Sequence, residues 1–257
     1  MRRMRGWRGD PALSGRGYPL IKRAENTSVA KIIGRRPRGV MDFAAARINM
    51  VESQLRTNKV ADDAVLNAFL MVPRERFVPV AFHDTAYLDD DLPLGNGRAL
   101  LEPMILARML AAAKISGTDK VLDVGCASGY GTAIIARIAA SVVAVEEDKA
   151  LAEQARARLA ELGVLHASIV EGPLAQGHAA GAPYDAIVIE GAVAAIPDAI
   201  AVQLAEGGRL VTVVKAGAGV GRATLMNRVQ GVLSRRSLFD AAAPILPGFA
   251  PAPSFVF

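Results

Sequence analysis

The sequence predicts an α/β fold: a parallel sheet covered by helices on both faces. Three observations carry this. From residue 120 onward, short apolar runs alternate with helical stretches. The first of these runs feeds a glycine-rich turn, Gly125–Gly131, that opens directly into a helix. Apolar residues make up 52% of the 257 and charged residues 21%, which supplies a sizeable core and excludes wholesale disorder.

The elements follow in order. Residues 42–58 place Ala46, Met50, Val51 and Leu55 on one helical stripe. Residues 62–71 form a second amphipathic helix, with Asp62 or Asp63 suited to its N-terminus and Pro73 ending it. Residues 76–99, with Pro79, Pro93, Gly95 and Gly97, read as loop with short extended pieces. Pro103 suits a first helical turn, and 104–113 is helix. Strands are expected at 120–124, 141–145, 166–170, 184–189 and 208–214. Helices are expected at 132–140, 148–162 and 197–205. Two later strands, 223–229 and 235–239, follow the glycine-rich turn Ala216–Gly221. The charges of 148–162 recur at helical spacing and mark a solvated face.

Charge is unevenly spread. Residues 1–40 carry eleven Lys/Arg and two acids, a net +9, whereas the remaining 217 residues carry a net −4. The body is therefore mildly acidic and is not a nucleic-acid binder by charge. Residues 1–40 show no sustained apolar period and no secretory signal, and are expected to be a basic, disordered extension. Organisation is expected as that extension, then residues 41–115, 116–215 and 216–257 of a single body. One cysteine, Cys126, excludes a disulfide framework, and His83, His166 and His178 form no metal-ligand pair. No apolar run reaches about 18 residues, so no membrane span is expected.

The chemistry concentrates in Val121–Tyr130, VLDVGCASGY. A strand delivers Asp123, then the small residues Gly125, Cys126, Ala127 and Gly129 let a ligand approach the backbone. Glu146 lies 23 residues after Asp123, just past the second strand and followed by Glu147. An acid at that place can accept both hydrogen bonds of a ribose diol. The bland alternatives are a tight packing turn and a solvated acid at a helix start. The dinucleotide pattern GxGxxG is missing, and Asp123 would repel a pyrophosphate but suits a cationic amino group. S-Adenosylmethionine therefore fits better than NAD. No GxxxxGK[ST] occurs, which excludes a nucleotide P-loop.

From about Met50 to about Val214 the chain resembles the protein-L-isoaspartate O-methyltransferases, as a divergent member. The resemblance rests on Val72–Pro79 (VPRERFVP), Ala86–Asp89, Leu92–Gly97 (LPLGNG), Pro103, the VLDVGCASGY turn, Val145-Glu146 and Tyr184–Ile189. It implies a Rossmann-like, seven-stranded, S-adenosylmethionine-dependent methyltransferase sheet with an N-terminal helical cap. It also implies methyl transfer to the free carboxylate of an isoaspartyl residue in a protein or peptide, without a metal. The ester then closes to a succinimide that reopens partly to aspartate, a cytoplasmic protein-repair reaction. Positioning dominates an in-line displacement of this kind.

Several positions depart from the family's pattern. Where the family has G-Q-T-[IL]-S-x-P, this chain has Gly97-Arg98-Ala99-Leu100-Leu101-Glu102-Pro103. Leu101 stands at the position of the serine beside the acceptor, and Glu102 would repel a carboxylate if it faced the site. Arg98 is the one group there able to pair with it. The acceptor chemistry is thus expected to rest on Leu101, Arg98 and Glu102. After the third strand, Gly172-Pro173-Leu174 replaces Gly-Asp-Gly, and Glu190 replaces a small residue after the fourth. Cofactor contacts are expected from Asp123, Gly125, Cys126, Ala127, Gly129, Glu146, Glu147, Gly172, Pro173, Leu174 and Glu190. Cys126 reads as a packing residue, His178 as a surface histidine, and Arg74 and Arg76 as structural pairs on the cap.

Two classes of function follow. One is a carboxyl methyltransferase of the isoaspartyl type, or a relative acting on another, small acceptor. The other is a non-catalytic S-adenosylmethionine-binding module. With Leu101, Glu102 and Glu190 near the acceptor, weak or absent activity on isoaspartyl peptides is the expectation.

Overall fold

The computed structural model describes residues 41–217 and 219–250, so the expectations for residues 1–40 lie outside the described residues. The body that begins at Met41 is one compact unit.

Its centre is a seven-stranded sheet. A small hairpin, β1 (Leu92–Gly95) and β2 (Arg98–Leu100), precedes it. The sheet strands are β3 (Lys120–Val124), β4 (Ser141–Glu146), β5 (Ala167–Glu171), β6 (Tyr184–Val193), β7 (Leu204–Val214), β8 (Gly221–Val229) and β9 (Val232–Ala241). Their order is β5-β4-β3-β6-β7-β8-β9. The first five run parallel; β8 and β9 are antiparallel to their neighbours, so the sheet is mixed and not wholly parallel as expected. Connection length is the reason. Six residues separate β7 from β8, enough for a turn but not for the crossover a parallel pair needs.

Period-2 alternation divides the core between the two faces. Val121, Ala186, Val188, Val211 and Val213 join the larger core, together with α2 (Asp63–Met71), α3 (Pro103–Ala113) and α4 (Tyr130–Ile135). Leu122, Val124, Ile187, Ile189 and Leu210 face a second core closed by Leu174, Ile200, Leu246 and Phe249. The N-terminal helices cap one face of the sheet and share its core.

Four elements differ from the sequence reading. The first helix keeps its α form only over α1 (Phe43–Asn49), followed by a π-helical stretch (Met50–Leu55) and a 3-10 turn (Arg56–Asn58). There the side chains of Ser53, Thr57 and Asn58 donate to the carbonyls of Asn49, Ser53 and Gln54, competing with the regular ladder. The helix expected at 132–140 is only Tyr130–Ile135. The helix expected at 197–205 shrinks to α6 (Asp198–Ala201), because the Gln203 amide is committed to the carbonyls of Gln176 and Ala199. Finally, β6 runs four residues past Ile189. Its Ala192 exchanges backbone hydrogen bonds with Pro244 and Leu246 of the C-terminal segment, a partnership no local pattern announces.

Candidate active site at the carboxyl edge of the sheet

Strand register builds the site. Val124 pairs with Val145 on one side and with Ile189 on the other. One residue further, Gly125 is flanked by Glu146 at the end of β4 and by Glu190 on β6. Asp123 lies on the same face as Glu190, one diagonal step away, within reach of a long side chain. Three acids thus converge on one turn, and Asp123, Glu146 and Glu190 are all buried.

The turn itself is shaped by backbone. Gly125, Ala127 and Gly129 all have positive φ, at +78°, +51° and +92°. Gly129 is doubly constrained, since a Cβ there would sit 2.9 Å from the Ala155 Cβ of α5 (Lys149–Glu161). Ala127 holds a left-handed conformation that costs an L-residue roughly 1–2 kcal/mol. Gly131 leaves the space that the Glu190 carboxyl fills.

Glu146 is saturated. Its Oε2 accepts from Ala127 N at 2.7 Å and from Arg98 Nη2 at 2.6 Å; its Oε1 accepts from Glu147 N at 3.0 Å and Asp148 N at 3.1 Å. A carboxylate offers about four lone-pair sites, so none is left over. Arg98 is 3% exposed and also donates to Gly125 O at 2.9 Å, while its Nε and Nη1 have no partner.

Asp123 and Glu190 make the opposite arrangement. Thr132 Oγ1 donates to Asp123 Oδ2 at 2.6 Å, but Asp123 Oδ1 and Glu190 Oε1 have no donor. Burial, with the nearby charge of Glu146, pushes the Asp123 carboxyl up to about 6, and burial with the facing Asp123 pushes Glu190 well above the usual carboxylate range. Glu190 therefore holds its proton to higher pH than an ordinary carboxyl does.

The remaining expected residues separate. Cys126 and Ala127 are buried in the turn, and burial pushes the Cys126 thiol well up, which fits packing and not reactivity. Glu147 is exposed beside the site, contributing its backbone N–H. Gly172 donates its N–H to Glu146 O at 3.1 Å, Pro173 is exposed, and Leu174 is a core residue on the opposite face. Leu101 does not present its side chain where a serine hydroxyl was expected. It is 3% exposed within the larger core, because an isobutyl group gains more from burial than from facing a polar cleft. Glu102 heads α3 among Asp89, Asp90 and Asp91, where burial and those acids raise it to about 7.

Sequence reasoning missed two contributors, Thr132 and Leu246, and gave Arg74 a different kind of partner. Thr132 is the donor to Asp123. Leu246, from the C-terminal segment, packs against Gly125 and Gly191. Arg74 is fully buried; it donates to Ala86 O and Leu101 O, both at 2.7 Å, and stacks over Tyr130, so its partners are carbonyls and a ring instead of an acid. Arg76 pairs with Glu161 on α5 at 2.6 Å. The only available signal was position: Thr132 lies one helical turn after Gly129, facing the strand it follows. His178 is half-buried and held through its backbone.

An acid-rimmed glycine turn at the carboxyl edge of this sheet defines an α/β protein with the fold of the S-adenosylmethionine-dependent methyltransferases. A solved protein-L-isoaspartate O-methyltransferase superposes with a TM-score of 0.69 at 24% identity, covering 79% of this chain and 66% of that one. A Plasmodium falciparum protein described as a protein-L-isoaspartate O-methyltransferase, solved with S-adenosyl-L-homocysteine, gives 0.68 at 19% identity, covering 80% of this chain and 99% of that one. In sequence, the protein-L-isoaspartate O-methyltransferase of Koribacter versatilis is 40% identical over 82% of this chain and 96% of its own. Protein-L-isoaspartate O-methyltransferase 1 of Rhodopseudomonas palustris is 41% identical over 72% of this chain and 76% of its own. The sequence profile of the protein-L-isoaspartate(D-aspartate) O-methyltransferase family matches residues 46–238. The chain belongs to that family.

Proposed function

We propose that the chain is an S-adenosylmethionine-dependent carboxyl O-methyltransferase acting on isoaspartyl residues of proteins, a repair enzyme of the cytoplasm. Among the described residues no helix is long and apolar enough to cross a membrane. The carrying observation is the turn flanked by Glu146 and by the Asp123–Glu190 pair. Two buried carboxyl oxygens without donors, Asp123 Oδ1 and Glu190 Oε1, suit the α-ammonium of the methionine moiety. Glu146 suits the ribose diol once the Arg98 Nη2 bond is exchanged for a hydroxyl, because its four acceptor sites are otherwise full.

When bound, the cofactor supplies a methyl group on a sulfonium; the C–S bond breaks as a C–O bond forms. A carboxylate acceptor is already deprotonated, so the protein needs no general base. Its task is to orient the acceptor and strip its water. Arg98 is the residue we assign to the acceptor carboxylate. Its Nε and Nη1 are unpartnered, and release from Glu146 would free Nη2 as well. Leu101 contributes a backbone carbonyl to Arg74 and its side chain to the core, so the loss of the family's hydroxyl falls on Arg98 to offset.

The test is radiolabelled methyl transfer to an isoaspartyl peptide, with S-adenosylhomocysteine binding followed by calorimetry. Transfer that is lost in Arg98→Gln while cofactor-product binding survives supports the assignment. Product binding without any transfer to isoaspartyl, aspartyl or small carboxylate acceptors would overturn the enzymatic reading in favour of a binding module.

A further inference from the structure

A cavity of about 730 Å³ lies at the carboxyl end of β6 and β7 and over one face of the β8–β9 hairpin. Its lining includes Lys215, Arg222, Arg235 and Arg236, with Thr224 and Ser237 between them, and no acid. Asp240, outside the lining, pairs with Arg222 at 3.3 Å. Lys215, Arg235 and Arg236 have no acidic partner among the described residues, although the body as a whole is acidic. This is a local reversal of charge on a body of the opposite sign.

Its location matters as much as its sign. Ala194 and Ala195, which line the cavity, directly follow the end of β6, the strand that carries Glu190. Lys215 donates its N–H to Val193 O at 2.8 Å, fixing the cavity to that strand end. Glu190 and Ala194 are four positions apart, but β6 is bulged between Val188 and Ala192, so the span is below the roughly 13 Å of a regular strand. A polypeptide whose reacting residue sits at the turn can therefore lay its fourth or fifth neighbour in the cavity.

We propose that this basic groove is the docking site for an acidic stretch of the acceptor polypeptide, about four residues from the methylated position. The inference rests on the isoaspartyl reading for its register, but its charge selectivity stands on the groove alone. Lys215 is half-buried and Arg235 and Arg236 are exposed at the groove; such cations attract carboxylates and set orientation more than they add affinity. The net negative body disfavours nucleic acid as the occupant, since it would repel the rest of a phosphate backbone.

The experiment uses the full chain and isoaspartyl peptides carrying Glu, Gln or Lys at the fourth and fifth positions on either side. Binding is read by fluorescence anisotropy and turnover by methyl transfer. Expected is a KM about fivefold lower for Glu than for Lys arms on one side, shrinking in 0.5 M salt. Combined Lys215→Gln, Arg235→Gln and Arg236→Gln substitutions should raise the KM of the Glu-armed peptide to that of the Gln-armed one. Methyl transfer with no dependence on arm charge overturns the groove and leaves the isoaspartyl reading standing. Charge-selective binding of the Glu-armed peptide without any methyl transfer sinks that reading and leaves the groove. Displacement of the peptide by single-stranded RNA at lower concentration than by polyglutamate overturns the polypeptide assignment.

Discussion

Glu146 and the Asp123–Glu190 pair flank the same turn and solve opposite problems. Around Glu146 four donors, three of them backbone N–H groups and one a buried guanidinium, satisfy every lone pair. Around Asp123 and Glu190 one hydroxyl serves Asp123 alone, and burial holds both carboxyls above their usual range. A saturated acid holds structure; an unsatisfied pair holds a vacancy of charge that a cationic ligand can fill. The comparison teaches that acids at equivalent strand ends are distinguished by their donors and not by their residue type.

The largest expected effect breaks the saturated side. Glu146→Ala leaves Arg98 buried without its carboxylate and orphans three N–H groups, a loss of about 3–5 kcal/mol. At 2–4 °C per kcal/mol for a domain of this size, calorimetry should show melting lowered by about 10 °C. A fall under about 2 °C would mean that the four donors are not a structural clamp.

The unsatisfied side should respond the other way. Glu190→Gln gives Asp123 Oδ1 a neutral donor, and should raise stability by about 1 kcal/mol. It should also weaken S-adenosylhomocysteine binding roughly tenfold, because an amide cannot ionise to meet the bound ammonium as the Glu190 carboxyl can. The pH profile sharpens this. The Asp123 pKa is raised in the folded state from 3.8 to about 6, so its contribution is fully present below 3.8 and lost as pH rises through 6. Melting temperature in the native chain should therefore fall from pH 4 to pH 7, and fall less in Glu190→Gln. A profile unchanged by the substitution would mean that the two acids do not titrate together.

The smallest effect tests the turn between them. Ala127→Gly relieves a side chain held at φ +51° and should stabilise by about 1 kcal/mol, or 2–4 °C. No gain would mean that the methyl group's burial offsets the strain.

Much of this site was legible in sequence because its logic is local. A strand followed by small residues and a helix, with acids at successive strand ends, identifies Asp123, the Gly125–Gly129 turn and Glu146 through period and spacing alone. Arg98 was visible as the one cation in an altered segment, but its partner was not. The pairing with Glu146 spans 48 residues and exists only because the β1–β2 hairpin meets the end of β4. Leu101 shows the limit from the other side: aligned position suggested a cleft residue, and packing placed it in the core.

What the sequence by itself determined was the order of strands and helices, the phosphate-free character of the turn, and the acids that frame it, since these follow from backbone preference and side-chain period. Tertiary structure alone decided which acid is saturated and which is left wanting. It decided the antiparallel end of the sheet, the extension of β6 by the C-terminal segment, and the gathering of Lys215, Arg222, Arg235 and Arg236 around one cavity. Each of these depends on contacts between distant segments, whose free energy comes from burial and charge pairing across the sheet and leaves no periodic trace along the chain.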